Sequence, residues 1–527
     1  MAGRRTAGRP FVSDAIVVGG GIAGLATAAL LSRDGMRVAL FEARDQLGGR
    51  AGRWERDGFR FDTGPSWYLM PEVFDHFFRM LGTSAGQELD LVPLTPAYRV
   101  YAEPGDGGRA PLDVVSGRDQ AIALFESVER GAGAHLATYL DSAAEAYDLA
   151  VTRFLYDTYQ TRRNLLTPTL LRRAHRLLPL LTTSLERFAG RRFRDPVLRQ
   201  ILGYPAVFLG GDPAHVPALY HLMSHLDLAD GVRYPQGGFA AVIDAIERLA
   251  RAAGADIRTG TPIIAIERED GRAAGVRTAD GTRHRAPIVI ATTDLHHAET
   301  RLLPDEARTY PESWWRRRTP SSGALLVLLG VTGELPQLAH HTLLFTRDWR
   351  ANFDAVFGDR RRIPDPASLY VCRPSATDPT AAPPGHENLF VLVPVPADPD
   401  SGHGGVDGDG DPRVERAADA AIGQISRWAG IPDLAERVVV RRTIAPADFA
   451  RDLNAWQGNA LGLSHTLRQS ALFRPANASA TTPGLFYAGA SALPGIGLPL
   501  CLISAELVRK RIRGDLTPGP SPEPAGR

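Results

Sequence analysis

Two rhythms of apolar positions run along this chain. One is the short unbroken apolar run, the mark of a strand buried on both faces. Ala15–Val18, Arg37–Phe41, Ile288–Ala291 and Leu485–Ala488 read this way. The other is the 3.6-residue spacing of a half-buried helix. Phe239–Ala253 shows it through Val242, Ile243, Ile246 and Leu249–Ala250, and Gly254 supplies the stop. Ile22–Ser32 reads as a helix between the first two strands, and residues 119–200 read as largely helical, with arginine-rich faces. Ile257 and Ile263–Ile266 belong to strands, and a turn at Asp280-Gly281 makes a hairpin. Short strands dominate from about 320 to 395, in "GALLVLLGV", "HTLLF", "ASLYVC" and "ENLFVLVPV". At the far end "PGIGLP" opens a helix from about Leu500 to Ile512, and the Pro/Gly-rich tail after it is expected to be disordered.

The order strand, glycine-rich turn, helix, strand carries chemistry. Gly19, Gly21 and Gly24 fit G-x-G-x-x-G, and the second strand ends on Glu42, 18 residues past Gly24. This is a dinucleotide-binding fingerprint: the glycines bring backbone close to a pyrophosphate at the positive end of a helix, and the acid accepts hydrogen bonds from a ribose. Gly48-Gly49-Arg50 follows as a second close approach, its arginine available to a phosphate. An NAD-binding domain continues into another strand–helix unit here, whereas this chain runs into "GFRFDTGPSW". "PGIGLP" again feeds a glycine-rich turn into a helix N-terminus, a cradle for an anion or carbonyl. The plain alternatives are a simple turn at "GGR" and a tight helix–strand contact at "PGIGLP".

Composition narrows the classes. A chain of 527 residues buries a large core and divides into two or three domains. With 60 basic and 59 acidic residues the net charge is +1, and nothing points to nucleic acid. Lys510 is the only lysine. Cys372 and Cys501 make neither a disulfide framework nor a metal knuckle, which fits a reducing compartment. The basic start "MAGRRTAGRPFVSD" lacks the apolar stretch of a signal peptide, and no run of about eighteen apolar residues occurs, so a cytoplasmic protein without a membrane span is expected. Asp407, Asp409 and Asp411 alternate as in a calcium loop, but Pro412 and Ala418 stand where its glycine and glutamate belong. His221 and His225, at i and i+4 on one helical face, have no third ligand in reach, and His340-His341 is read as structural. No metal centre is expected.

Together with "YPQGGFAAVIDAI", "LAHHTLLF", "DPASLYVCRPSATDP", "DLNAWQGNALGLSHTLRQSALFRP" and "GLFYAGASALPGIGLP", these segments resemble the FAD-containing carotenoid desaturases of the bacterial phytoene desaturase type, from about Asp14 to Arg509. The resemblance implies an α/β fold. Its parts are a Rossmann-like FAD-binding domain assembled from discontinuous segments (11–95, 230–305 and 481–513), a mixed β-sheet substrate domain (96–120 and 306–480), a helical membrane-facing subdomain (121–229) and the tail 514–527. It implies FAD as cofactor. Gly19, Gly21, Ala23, Gly24, Glu42, Ala43, Gly49 and Arg50 would bind the ADP half, and the strand around Ile264 would pass the adenine through its backbone. Gly489, Ala490, Gly497, Leu498 and Pro499 would lie against the ribityl and flavin end. The family commonly carries a longer "GAGTHPGAG"-like run where this chain has "AGASALPGIG"; the glycines and proline keep their spacing.

The resemblance also implies a reaction. Hydride passes from an allylic carbon of 15-cis-phytoene or a related carotene to flavin N5, a proton leaves the next carbon, and successive desaturations give a lycopene-type product in carotenoid biosynthesis. The C40 substrate lives in the bilayer. "NLLTPTLLRRAHRLLPLLTTSLERF" therefore reads either as a peripheral membrane contact or as an ordinary amphipathic cover over a core. A membrane quinone or oxygen would reoxidise the flavin. Asp227 in "YHLMSHLDLADG" is the candidate acid/base, since relatives carry an acidic residue there, while Asp62 and Asp294 stabilise turns around the cofactor. Hydroxycarotenoid desaturases, ketolases and redox-neutral isomerases share the pattern. A flavin amine oxidase needs a lysine near N5, a place Lys510 cannot take. A non-catalytic prenyl-lipid binder on this fold would have lost the glycine motifs.

Overall fold

A computed structural model describes residues 13–105, 109–161 and 168–523. Most of the basic start, residues 162–167 of the arginine-studded stretch and the last four residues of the tail lie outside the described residues. Five strands form a parallel sheet in the order Leu485–Tyr487, Ile288–Ala291, Ala15–Val18, Val38–Phe41, Asp256–Arg258. Ala15 stands opposite Ile288 on one side and Val38 on the other, so three stretches far apart in sequence close one sheet. The unbroken apolar run of Ala15–Val18 is explained by its two neighbours. Ala15 and Val17 pack under the helices Ile22–Arg33, Gly238–Ala252 and Leu498–Arg513, while Ile16 and Val18 face Ile266, Val276, Leu295 and Trp315. Full burial of such a side chain contributes roughly 1.5–3 kcal/mol.

A second, seven-stranded sheet runs Val438–Ile444, Gly323–Thr332, His386–Val395, Leu369–Cys372, His341–Phe345, Tyr98–Ala102, Leu112–Val114. Its pairings are antiparallel except His341–Phe345 with Tyr98–Ala102. In Gly323–Thr332, Leu325, Val327, Leu329 and Val331 face the helix Pro412–Ala429. Leu326 and Leu328 face a larger core shared with the helices Arg118–Val128, Ala132–Leu149 and Pro196–Gly203. A three-stranded antiparallel sheet, Ile263–Glu269, Arg272–Thr278 and Arg283–Arg285, lies beside the first; Gly281, at φ +85°, makes the expected hairpin turn.

Two expectations are corrected here. Residues 514–523 of the tail are not disordered: they fold back on the last helix. The Lys510 ammonium, 1 % exposed, donates to the carbonyls of Tyr156, Thr517 and Gly519, and Ser521 N donates to Glu506 Oε1 at 2.6 Å. The only lysine thus provides the donors that a glycine- and proline-rich segment cannot provide for itself. The His221/His225 helix also fails to form. Ala218–Leu222 is a 3₁₀ turn and His225–Asp230 a π turn, so the 3.6-residue geometry that would align the two rings is absent. His221 bonds Ser142 Oγ at 2.9 Å, whereas His225 lies 3.5 Å from Asp230.

Candidate functional site

The helix Ile22–Arg33 begins without a side-chain cap; its N-cap is Gly21. Two of the motif's glycines are there for packing. A Cβ on Gly24 would sit 2.0 Å from Gly19 O, and one on Gly19 would meet Thr292 Oγ1 at 2.9 Å. Gly21 differs: a Cβ there would meet nothing closer than Gly48 O at 3.9 Å, so this residue faces open space at the positive end of the helix. Gly48 N donates to Gly20 O at 2.9 Å, which lays Gly49 (φ +58°) against Gly21. Ala23 is buried beneath Gly489, whose own Cβ would lie 3.8 Å away. The two glycine segments from opposite ends of the chain therefore meet.

Glu42 closes the far side. Its Oε2 accepts from Gly20 N at 2.6 Å and its Oε1 from Arg44 N at 2.8 Å, which orients the carboxylate and leaves each oxygen a further lone pair. Ala43 beside it is exposed. Thr261 N donates to Glu42 O at 2.8 Å and brings the strand of Ile264 alongside. A register shift between Ile263 and Ala265 removes Ile264 from the strand ladder, and its side chain is 47 % exposed. Arg50 points inward: its Nε donates to Ala460 O at 2.9 Å and its guanidinium lies 3.9 Å from Asp294. Outside Gly49, a cleft of about 230 Å³ is lined by Arg44, Arg53, Arg442 and Arg451 and by Asp448 and Asp452, which pair with Arg451; the arginines outnumber the acids, a field that suits a pyrophosphate. Asp294 caps the helix Leu295–Arg301, and Asp62 caps Gly238–Ala252 through Phe239 N and Ala240 N. Burial raises the Asp62 carboxyl to about 6.

At the C-terminal segment Gly489 takes φ +121° and donates to Ser504 Oγ at 3.0 Å. Gly497 (φ +120°) caps the helix Leu498–Arg513, which starts two residues earlier than expected because Pro499 suits the first turn. Gly497 is exposed, and Leu498 and Pro499 are half-buried. One residue that sequence reasoning passed over holds this segment. The buried Arg474 donates to the carbonyls of Leu463, Gln469, Ala490 and Ala492. The "FRP" of its motif was the available signal.

Gly64 packs on the Arg50 carbonyl, and the chain then delivers Trp67 to the large core. Trp67 stacks on His341 at 4.4 Å and lies 5.4 Å from Tyr98, 6.0 Å from Tyr204 and 5.4 Å from Phe208. Behind this aromatic wall is Asp227, 2 % exposed. Its Oδ2 accepts from Tyr204 Oη at 2.8 Å and Tyr98 Oη at 3.2 Å, while Oδ1 is buried without a partner. Burial raises the carboxyl to about 7 against those hydrogen bonds. Through the segment 64–67 the structure thus links the glycine cradle to a packed aromatic cluster that encloses a poised carboxyl. The uncapped helix, the free space at Gly21, the oriented Glu42 and the arginine-lined cleft fit FAD.

Known proteins agree. The flavin containing amine oxidoreductase family matches residues 22–508. A carotenoid 3,4-desaturase of Haloarcula japonica is 40 % identical over 505 residues, which cover 95 % of this chain and 98 % of that protein. A zeta-carotene-forming phytoene desaturase of Myxococcus xanthus is 36 % identical over 94 % of this chain and 93 % of its own. Among solved structures, an oxidoreductase from Methanosarcina mazei superposes with a TM-score of 0.60 at 18 % identity, over 94 % of this chain and 99 % of that one. The chain is an FAD-dependent oxidoreductase of the flavin containing amine oxidoreductase family and belongs, within it, to the carotenoid desaturases.

Proposed function

We propose that this protein desaturates a C40 carotenoid and takes 15-cis-phytoene stepwise to a lycopene-type product. The observation that carries the reading is the buried Asp227 carboxyl, its Oδ1 without a partner, enclosed by the aromatic cluster of Trp67, Tyr98 and Tyr204. Bound FAD supplies the hydride acceptor. The aromatic rings of Trp67, Tyr98, Tyr204 and Phe208 hold the hydrocarbon, keep water out, and present π faces to the positive charge that develops as hydride leaves. Asp227 Oδ1 takes the proton from the neighbouring carbon, while the two tyrosine hydroxyls fix Oδ2. Gly19, Gly21, Ala23, Gly24, Glu42, Ala43, Gly49 and Arg50 hold the ADP half in this reading. Ile264 meets the adenine, and Gly489, Ala490, Gly497, Leu498 and Pro499 meet the flavin end.

A second reading has support of its own. The relative at 40 % identity is named a carotenoid 3,4-desaturase, which favours oxidation near the end of an already conjugated chain.

The route of the substrate is part of the proposal. Leu178 (62 % exposed), Leu472 (51 %) and Phe473 (57 %) stand out to solvent, and the helix Pro168–Thr182 that carries Leu178 packs on the Ala218–Leu222 turn. Tyr220 of that turn bonds His465 Nδ1 and Ser470 Oγ. This apolar rim supports peripheral seating on a cytoplasmic membrane face, with a quinone or oxygen as acceptor. Among the described residues no helix is long and apolar enough to cross a membrane.

The test is anaerobic. FAD-loaded protein is mixed with liposomes carrying phytoene while flavin absorbance and carotenoids are followed. Bleaching with desaturated products supports the phytoene reading. Bleaching only with a lycopene-type carotenoid supports the second. Products that form with no net bleaching indicate isomerisation and defeat both.

A further inference from the structure

His340, His341 and Cys372 come together inside the seven-stranded sheet. His341 and Cys372 stand opposite each other on adjoining antiparallel strands, and His340 O accepts from Arg373 N at 2.7 Å, which keeps the preceding residue beside them. A ring nitrogen of each histidine and the Cys372 sulphur all lie within 4.8 Å of one another.

The sequence reading makes the histidine pair structural, and a structural pair has its hydrogen bonds met. This one is half met. His340 Nδ1 is held by Thr377 Oγ1 and His341 Nδ1 by Tyr370 Oη, each at 2.7 Å. The Nε2 atoms of both have no partner, although the residues are only 5 % and 0 % exposed. An unmet buried polar atom has lost its water without a replacement. Two of them, on imidazoles that each bring a ring nitrogen within 4.8 Å of a buried thiol, need a common explanation. A cation supplies one, because metal-bound imidazoles characteristically have their other ring nitrogen held by an outer oxygen.

We propose that His340, His341 and Cys372 form a binding site for a borderline-soft d-block cation of the Zn²⁺ class. Two imidazole nitrogens and a sulphur select such an ion over Ca²⁺ or Mg²⁺, which need oxygen ligands. The metal takes the thiol as thiolate and releases its proton to water. Two neutral imidazoles and one thiolate leave a single positive charge, and the carboxylates of Asp62 and Asp378 act on this cluster. The nearby Arg373 is already paired with Glu387 at 2.7 Å. The consequence reaches the pocket. The His341 ring stacks on Trp67 at 4.4 Å and 9°, so a metal that fixes this ring also fixes the Trp67 wall. That is a positioning role, and it stands whichever carotenoid is the substrate.

The experiment uses the full-length FAD-loaded protein, incubated with Zn²⁺, desalted into metal-free buffer and assayed by elemental mass spectrometry. The expected result is one zinc per chain, lost in Cys372→Ala and kept in Cys501→Ala. With Co²⁺ in place of Zn²⁺ the unmutated protein should gain a thiolate-to-cobalt charge-transfer band in the near ultraviolet. Zinc that washes out, or a folded Cys372→Ala that holds as much zinc as the unmutated chain, overturns the site. Should Cys372→Ala fail to fold, the cobalt spectrum decides alone, and its absence rejects the proposal.

Discussion

Tyr204 Oη donates to Asp227 Oδ2 at 2.8 Å, and the second oxygen of the same carboxyl, Oδ1, is buried with no partner. One oxygen is anchored and the other is free, an asymmetry that suits a proton acceptor better than a core carboxylate.

The pH dependence follows. Burial holds Asp227 at about 7, so the group is neutral below that value and ionised above it. A base must be ionised, so the anaerobic rate of flavin bleaching by carotenoid should rise roughly tenfold per pH unit below about 7 and level off above. Asp227→Asn should lower the plateau by about 100-fold or more and abolish the rising limb, with FAD still bound. A limb that survives in Asp227→Asn assigns it to another group. The stability sign is opposite to that of an ion-paired acid. The folded-state value lies above the unfolded 3.8, so stability from this group is full at low pH and falls as pH rises from about 4 to 7, by about 1.4 kcal/mol per unit at most.

The glycines of one motif should behave differently. A Cβ on Gly21 has nearly 4 Å of clearance, so Gly21→Ala should leave the melting temperature of the flavin-free protein almost unchanged. In the proposed site the same methyl would take the space of the pyrophosphate and should weaken FAD binding about 10- to 100-fold, with Gly21→Val worse. Gly24→Ala places its methyl 2.0 Å from a backbone oxygen and should destabilise the protein with or without FAD. Thermal melts of both variants, each with and without FAD, separate the roles; equal melting losses in the flavin-free proteins would erase the distinction.

Those outcomes turn on what was legible in the sequence. Four strands of the parallel sheet were legible as short apolar runs, while the edge strand Asp256–Arg258 shows only Ile257; Gly254 and the Asp280-Gly281 turn were legible because a positive φ demands glycine. The glycine segments at the two ends were legible by their spacing, with Gly24 demanded by close packing and Gly19, Gly489 and Gly497 also by a positive φ. The turn around His225 was not, since i, i+4 spacing predicts a shared face only if the backbone holds 3.6 residues per turn, and here it winds as a π turn. Arg50 showed its chemistry but not its direction: a flexible arginine takes whatever acceptors the fold brings, here Ala460 O and Asp294. The Trp67 wall is assembled from segments over 270 residues apart in sequence, and no local pattern records it.

The tail is the third case. Lys510 donates to three carbonyls, two of them from the tail itself, Thr517 and Gly519. Lys510→Met keeps the apolar stem and strands all three acceptors, at a cost on the order of 3 kcal/mol. Hydrogen exchange at the Ser521 amide, bonded to Glu506, should accelerate strongly in that variant, while exchange in Ala15–Val18 changes little. Unchanged protection at Ser521 would show that Glu506 alone holds the tail.

Arg474 makes the sharpest demand on side-chain identity. Its planar fork reaches Leu463 O at 3.0 Å, Gln469 O at 3.0 Å and Ala492 O at 3.1 Å, and also Ala490 O, so one guanidinium ties the 463–469 segment to the residues that lead into the C-terminal glycine turn. Burial lowers this group to about 10, still charged at neutral pH. An ammonium has three donors around one point and cannot span four carbonyls set around a plane. Arg474→Lys should therefore keep the charge but leave at least one carbonyl unmet, with a loss of about 1–3 kcal/mol in stability. Because Ala490 is proposed to meet the flavin end and Ala492 lies two residues on, FAD affinity should fall about tenfold and the bound flavin's visible band should lose its vibrational shoulder. Arg474→Met, with no donors at all, should fail to retain flavin through gel filtration. A folded Arg474→Lys with unmutated affinity and an unmutated spectrum would uncouple this arginine from the cofactor site and leave it a purely structural clamp.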